Sequence, residues 1–191
     1  MLNQAALFLV QTVLGLLSVA FLLRFYFQWC KVSFQHPIAQ LLIAMTNFAV
    51  KPTRKIVPSI AKLDISTLLL AYLTQLLLIT LGSLLFNQFK HAFPTAIWLA
   101  VVEVVKLSGY IFMGAVFLQA IVSWVNPYSP IAPLLHQLTM PVMRPLRSVI
   151  PNLGGVDFSS LVFIIMAQFL LLFVLTPIET YLFSVIQIPF Y

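Results

Sequence analysis

The chain has 191 residues, of which 62% are hydrophobic and only 7% are charged. Soluble domains have about one quarter charged residues, so this composition excludes a water-soluble fold and predicts an integral membrane protein. The net charge of +6 favours contact with anionic lipid head groups over nucleic acid, because the basic residues lie beside apolar runs. The single cysteine, Cys30, excludes an internal disulfide.

Four apolar runs are long enough to cross a bilayer, which takes about 20 helical residues. They extend from Ala5 to Tyr26, from Ile65 to Phe86, from Ile97 to Trp124 and from Phe158 to Phe183. The first run carries Arg24 at its end and has no basic residue ahead of it, so we predict a retained span rather than a cleaved signal peptide. The segment from Asn87 to Pro94 is predicted to be a polar connection, and Pro177 is predicted to kink or end the fourth span.

Two shorter segments, Ile38 to Val50 and Ile131 to Met143, follow the first and third spans. Both are too short to cross a membrane, so we predict amphipathic helices in the head-group plane or on the inner end of the bundle. The first is predicted to place Ile38, Leu41, Leu42, Met45 and Phe48 on one side and Gln40, Ala44, Asn47 and Lys51 on the other. Pro52 is expected to end it.

A proline-rich basic turn follows each short segment, and the two turns reveal a duplication. Residues 51–58 read KPTRKIVP, and residues 144–151 read RPLRSVIP. One constant offset, without a gap, also relates Asp64 to Asp157, Ser66 to Ser159 and Gln75 to Gln168. The chain is therefore predicted to contain two repeats, residues 1–93 and residues 94–191.

The distribution of basic residues predicts the orientation. The connections that contain the two basic turns carry Lys31, Lys51, Arg54, Lys55, Lys62, Arg144 and Arg147, whereas the connection between them carries Lys90. Both basic turns are therefore predicted to face the cytoplasm, with both termini on the opposite, periplasmic side. The predicted fold is an all-α membrane protein with four transmembrane helices arranged as two parallel helical-hairpin repeats, each with a short cytoplasmic amphipathic surface helix.

The basic turns supply the first candidate site. Lys51, Arg54, Lys55, Arg144 and Arg147 are predicted to dock anionic lipids or a protein partner, or else to act only as topology anchors. Asp64, Ser66, Asp157 and Ser159 are predicted to cap the second and fourth spans. An alternative is that each aspartate pairs with the arginine of its own turn in a bidentate contact, or that the two residues flank a site for a phosphate head group.

Polar residues within the spans supply further candidates. Gln75 and Gln168 are placed near the middle of the membrane, where we predict pairing between the halves, with the lining of a water path as the alternative. Glu103 and Lys106 are predicted to form an interfacial pair near the outer start of the third span, with a buried pair in that span as the alternative. The three histidines, His36, His91 and His136, fall in loops or surface segments, so no metal or cofactor is predicted.

Each repeat contains Pro-Ile-Ala, then a basic residue followed by Pro-x-Arg, then a later proline and Asp-x-Ser. This doubled pattern, from Pro37 to Ser66 and from Pro130 to Ser159, resembles the YggT family of small bacterial inner-membrane proteins and is similar to the YlmG proteins and their chloroplast relatives. The resemblance implies a multi-pass protein of the bacterial inner (plasma) membrane. It associates the chain with osmotic stress tolerance, division or maturation of membrane complexes, and it supplies no catalytic residues.

The sequence contains no serine elbow, metalloprotease helix, phosphate loop or glycine-rich dinucleotide turn. We therefore predict that the protein is not an enzyme but a non-catalytic accessory or assembly factor. Its predicted partners are the lipid bilayer and other membrane proteins or a second copy of the chain, and not nucleic acid. The alternative is a small oligomeric channel or transporter that acts in osmotic or ion homeostasis.

Overall fold

A computed structural model describes residues 2–57, 64–85, 89–150 and 158–186. All regular elements within these ranges are helical. They are α1 (Leu2–Trp29), α2 (Pro37–Thr53), α3 (Ile65–Leu85), α4 (Phe89–Val125), α5 (Ala132–Val149), α6 (Phe158–Leu170), a π-helical turn (Leu171–Leu175) and α7 (Thr176–Ile186).

The described residues contain four helical stretches that are long and apolar enough to cross a membrane. These are Gln4–Trp29, Ile65–Leu85, Pro94–Val125 and Phe158–Ser184. The last stretch combines α6, the π-helical turn and most of α7. The prediction of an all-α membrane protein with four transmembrane helices is therefore confirmed, and many of the apolar side chains of these helices face outward, as contact with lipid requires.

Two predicted boundaries of the spans differ from the structure. Helix α4 begins at Phe89, so the predicted polar connection ending at Pro94 is largely helical, and Pro94 lies inside the helix. A proline removes one backbone hydrogen bond, and the hydrogen bonds on either side of it carry the helix past that point. The proposed division between the repeats, after residue 93, falls within α4 and stays a prediction.

The fourth span does not end at Pro177, because α7 continues through this residue to Ile186. The π-helical turn immediately before α7 explains how the proline is accommodated. The backbone N–H of Thr176 donates to the carbonyl of Leu171, five residues earlier. This wider turn gives the proline ring room next to the preceding backbone carbonyls, which an ordinary helical turn would not provide.

Helix α2 packs on α1 and α3 mostly through residues outside its predicted apolar side. It buries Ala39, Leu42, Thr46 and Val50, whereas Leu41, Met45 and Phe48 are 59%, 48% and 68% exposed. Of the predicted apolar face, only Leu42 is buried against the bundle. Lipid solvates the outward apolar side chains, while small and polar residues on the inward face allow close approach of the helices.

The basic turns are more helical than predicted. Helix α5 continues past Met143 to Val149, so Arg144 and Arg147 lie on a helix rather than in a turn. Likewise, Pro52 lies inside the last turn of α2 instead of ending it. Burial of Leu138 and Met143 against the bundle offsets the backbone hydrogen bonds that the prolines of α5 remove.

Both surface helices lie at the same end of the bundle, as predicted. The thiol of Cys30, directly after α1, donates to the carbonyl of Leu138 in α5 at 3.5 Å. Phe27 of α1, Leu42 of α2 and Leu135 of α5 belong to one buried cluster. Burial raises the pKa of the Cys30 thiol to about 11, so the thiol keeps its proton for this contact.

Substitution of Gly109 tests the packing of α4 against the π-helical turn. A Cβ atom at Gly109 would lie 3.2 Å from a methyl carbon of Leu171, whereas a Cβ atom at Gly114 would meet nothing within 4 Å. Gly109→Leu should therefore destabilise the bundle by about 1–3 kcal/mol through overpacking. Thermal unfolding in detergent measures the effect, with Gly114→Leu as the matched control. Equal melting temperatures for the two variants would contradict this packing.

Candidate functional site

An ion pair closes the first basic turn. Asp64 directly precedes α3 and is only 1% exposed. Its Oδ2 accepts a hydrogen bond from Nε of Arg54 at 2.9 Å and another from Nη2 of the same guanidinium. The predicted pairing of aspartate with arginine is present in this repeat, but both nitrogens share one carboxylate oxygen instead of forming a two-oxygen fork.

The side chains at the start of α3 do not act as the predicted caps. The Oγ of Ser66 donates to the carbonyl of Val57 at 2.8 Å and so connects the basic turn to α3. The Oδ2 of Asp64 accepts its hydrogen bonds from Arg54. The other carboxylate oxygen of Asp64 is buried and accepts no hydrogen bond from the described residues. In the second repeat Ser159 is fully buried, and Asp157 lies outside the described residues.

A buried arginine links α1 to α2 next to this ion pair. Arg24 is 5% exposed, and its Nη1 donates to Thr46 Oγ1 at 2.6 Å and to Asn47 Oδ1 at 3.0 Å. The sequence pattern indicated only that Arg24 marks the inner end of the first span. The adjacent polar residues Thr46 and Asn47 on α2 were the available signal of a partner, since a buried guanidinium requires hydrogen-bond acceptors.

The five predicted docking residues are all exposed, three of them at the end of α2 and in the turn after it and two on α5. We name them together the basic surface: Lys51, Arg54, Lys55, Arg144 and Arg147. Apolar side chains flank it, because Ile56 is 83% and Val149 is 81% exposed. Cations beside exposed apolar groups are typical of segments that lie at the level of lipid head groups.

A second candidate site lies within the bundle. A cavity of about 270 Å³, which we name the polar cavity, is lined by Gln11, Gln75, Leu78, Ile79, Glu103, Lys106, Glu179 and Phe183. Gln11 belongs to α1, Gln75 to α3, Glu103 and Lys106 to α4, and Glu179 to α7, so all four spans contribute. Since Gln11 lies in the first half of α1, the cavity extends toward the end of the bundle opposite the surface helices.

The charged residues of the polar cavity form a triad. The Nζ of Lys106 donates to Oε1 of Glu103 at 3.4 Å and to Oε2 of Glu179. The side chains of Lys106 and Glu179 are only 12% and 6% exposed. The predicted pairing of Glu103 with Lys106 is therefore present, but these charges face the interior of the bundle, as in the alternative of a buried pair. Glu179 was missed because it lies 73 positions from Lys106, and spacing along one helix cannot reveal such a partner.

The structure separates the two glutamines that were predicted to pair. Gln75 is 5% exposed and lines the polar cavity, whereas Gln168 is exposed on α6. Neither side chain hydrogen-bonds to the other or to another described residue. In one chain, therefore, the two amides are not brought together, and only Gln75 faces a polar space.

The described histidines have surface positions. Nδ1 of His36 accepts a hydrogen bond from the backbone N–H of Ile38 at 3.3 Å and caps α2. His136 is exposed, and the His91 side chain lies outside the described residues. Across the part of the chain that the structure describes, no group of three or more His, Cys, Asp or Glu residues is arranged to hold a metal ion.

Comparison with known proteins identifies relatives along most of the chain. The CCB3/YggT family model matches residues 3–85 and again residues 98–178. The uncharacterized protein in the proC 3' region of Vibrio alginolyticus is 32% identical over 164 residues, which cover 85% of this chain and 89% of the relative. Uncharacterized protein YggT of Escherichia coli is 32% identical over 161 residues, or 83% of each chain. No solved structure matches this chain significantly.

Removal of Arg54 should destabilise the protein more than removal of Lys55. Arg54→Ala leaves the Asp64 carboxylate buried without its counter-charge, which costs about 1–3 kcal/mol. Because the guanidinium is about half exposed, we expect the lower part of that range. Lys55→Ala, which removes an exposed cation from the same turn, is the control. Thermal unfolding in detergent compares the two, and the ion pair is not structural if their melting temperatures agree.

Proposed function

We propose that this chain, which belongs to the CCB3/YggT family, is a non-catalytic accessory or assembly factor of the bacterial inner membrane. In this proposal the basic surface faces the cytoplasm and both termini are periplasmic, as the positive-inside rule favours. The basic surface docks anionic lipid head groups or an acidic face of a membrane protein. The observation that carries the proposal is the exposure of Lys51, Arg54, Lys55, Arg144 and Arg147 on the helices and turns at one end of the bundle.

The local structure of the first basic turn supports this role. Asp64 fixes the guanidinium of Arg54 from the bundle side, and about half of that side chain remains exposed. Lys51 and Lys55 flank it, and their side chains are exposed. A basic residue near an anionic membrane surface contributes about 1 kcal/mol of attraction. Several such residues held at one end can therefore select anionic lipids or an acidic partner without a deep pocket.

The proposal also specifies how the remaining surface is used. Leu161, Ile165 and Phe169 of α6 are 57%, 60% and 60% exposed. In a membrane these side chains contact lipid or the apolar face of another membrane protein. An accessory factor with this construction would hold a partner through its spans and position it through the basic surface.

Removing three of the five cations of the basic surface should weaken its selectivity for anionic lipids. The triple variant Lys51→Ala, Lys55→Ala, Arg144→Ala spares Arg54, whose loss would also affect stability. It should lose about 3 kcal/mol of attraction to anionic head groups. Mass spectrometry of lipids and proteins that co-purify in mild detergent measures the change.

The charge-preserving variant Lys51→Arg, Lys55→Arg, Arg144→Lys is the control for that experiment. It should retain anionic lipids and protein partners at the level of the unmodified protein. Docking through the basic surface would be refuted if the triple alanine variant co-purified the same lipids and the same proteins as this control.

A small oligomeric channel or transporter is the second candidate function, and the polar cavity is the observation that favours it. Ionisable side chains within membrane spans commonly mark the path of an ion or solute. Here Glu103, Lys106 and Glu179 meet in a cavity to which all four spans contribute.

Flux through reconstituted protein tests this candidate. Liposomes that contain the purified protein should conduct ions, and Gln75→Leu should reduce the flux because it replaces a polar wall of the cavity with an apolar one. Gln168→Leu makes the same change on the exposed face of α6 and should leave the flux unchanged. Equal flux in protein-free liposomes would eliminate the second candidate.

A further inference from the structure

The polar cavity carries one more negative charge than positive charge when its side chains are ionised. Glu103 and Glu179 supply two carboxylates, and Lys106 supplies one ammonium between them. The side chains of the three residues are between 6% and 21% exposed. An uncompensated carboxylate in such a setting costs a large amount of free energy, so the surplus charge requires a counter-charge.

Unpartnered amides point to the same site independently of the charges. Gln75 is only 5% exposed. It lines the polar cavity and makes no hydrogen bond to any described residue. Gln11 of α1 also lines the cavity and likewise has no described hydrogen-bond partner. A buried amide without a partner, as at Gln75, is unfavourable, and amide carbonyl oxygens are suitable ligands for a cation.

The charged triad is not a product of the internal duplication. The positions in the first repeat that correspond to Glu103, Lys106 and Glu179 are Val10, Val13 and Phe86. A helical hairpin of this type can therefore be built with apolar residues at those positions. The charges in the second repeat are an addition to the duplicated fold, and polar residues inside a membrane bundle usually serve a specific function.

We propose that the polar cavity binds one monovalent metal cation through carboxylate oxygens of Glu103 and Glu179 and the amide oxygen of Gln75. A single positive charge brings the cavity to neutrality, whereas a divalent cation would leave it positively charged. An anion would increase the surplus of negative charge. The inference uses the same cavity as the second candidate function, but it concerns binding and not passage of the ion. A proton on one glutamate would neutralise the charge but would leave the Gln75 amide without a partner.

Thermal unfolding of the full chain in detergent tests the proposal. Sodium or potassium chloride should raise the melting temperature in a saturable manner, relative to N-methylglucamine chloride at the same ionic strength and pH, because a ligand of the folded state stabilises it. Glu179→Gln removes the surplus charge while leaving Lys106 beside Glu103. This variant should fold and should lose at least tenfold in apparent affinity for the alkali cation.

Gln75→Leu should also weaken the alkali response, and Gln168→Leu should preserve it. The proposal is overturned if Glu179→Gln keeps the response, or if N-methylglucamine stabilises the protein as well as sodium and potassium do. It is also overturned if lowering the pH in N-methylglucamine chloride stabilises the protein fully and alkali cations then add no further stabilisation. In that case a proton is the counter-charge. Binding without flux in liposomes would reject the second candidate function and leave this inference standing.

Discussion

The absence of water from the hydrocarbon core is the constraint on which the rest of this structure depends. A polar group inside the bundle must find its partner within the protein, because lipid offers none. The Oγ of Ser18 therefore donates to the carbonyl of Ala71, Arg24 binds Thr46 on α2, and Lys106 binds Glu179 on α7. Each contact joins two different helices, so these few polar residues help to determine which helices meet in the bundle.

The charged groups of the molecule fall into two regions. One region occurs in both repeats, and the other occurs in the second repeat only. The basic surface arises from two copies of one motif, and Arg54 and Arg147 occupy equivalent positions in it. The polar cavity draws its charges from the second repeat alone, on α4 and α7. Duplication followed by local change therefore gives the protein two chemically different regions: a cationic end suited to a membrane surface, and a bundle interior that holds two carboxyl groups and one amine.

Hydropathy predicted the four spans well because membrane thickness sets the length of a spanning helix. It failed where contacts distant in the sequence decide the outcome. The outward direction of Leu41 and Phe48 depends on how α2 packs against α1, and the burial of Glu179 depends on Lys106 of another helix. The two equivalent glutamines differ for the same reason, since repeat symmetry in the sequence does not guarantee equal surroundings. Of the candidate site residues, the sequence identified the exposed cations and the pairs Arg54–Asp64 and Glu103–Lys106, but not Glu179 as the third member of the triad.

The irregular fourth span explains how Glu179 comes to face the polar cavity. A π-helical turn accommodates about one extra residue, and at 3.6 residues per turn this rotates the following helix by about 100°. The turn from Leu171 to Leu175 directly precedes α7, which carries Pro177. Leu171, its first residue, places its side chain beside Gly109 of α4, where the lack of a Cβ atom leaves room for that side chain. Without that turn the carboxylate of Glu179 would lie on another face of the helix, away from Lys106. A proline near the end of the last span therefore helps to position a charged group inside the membrane.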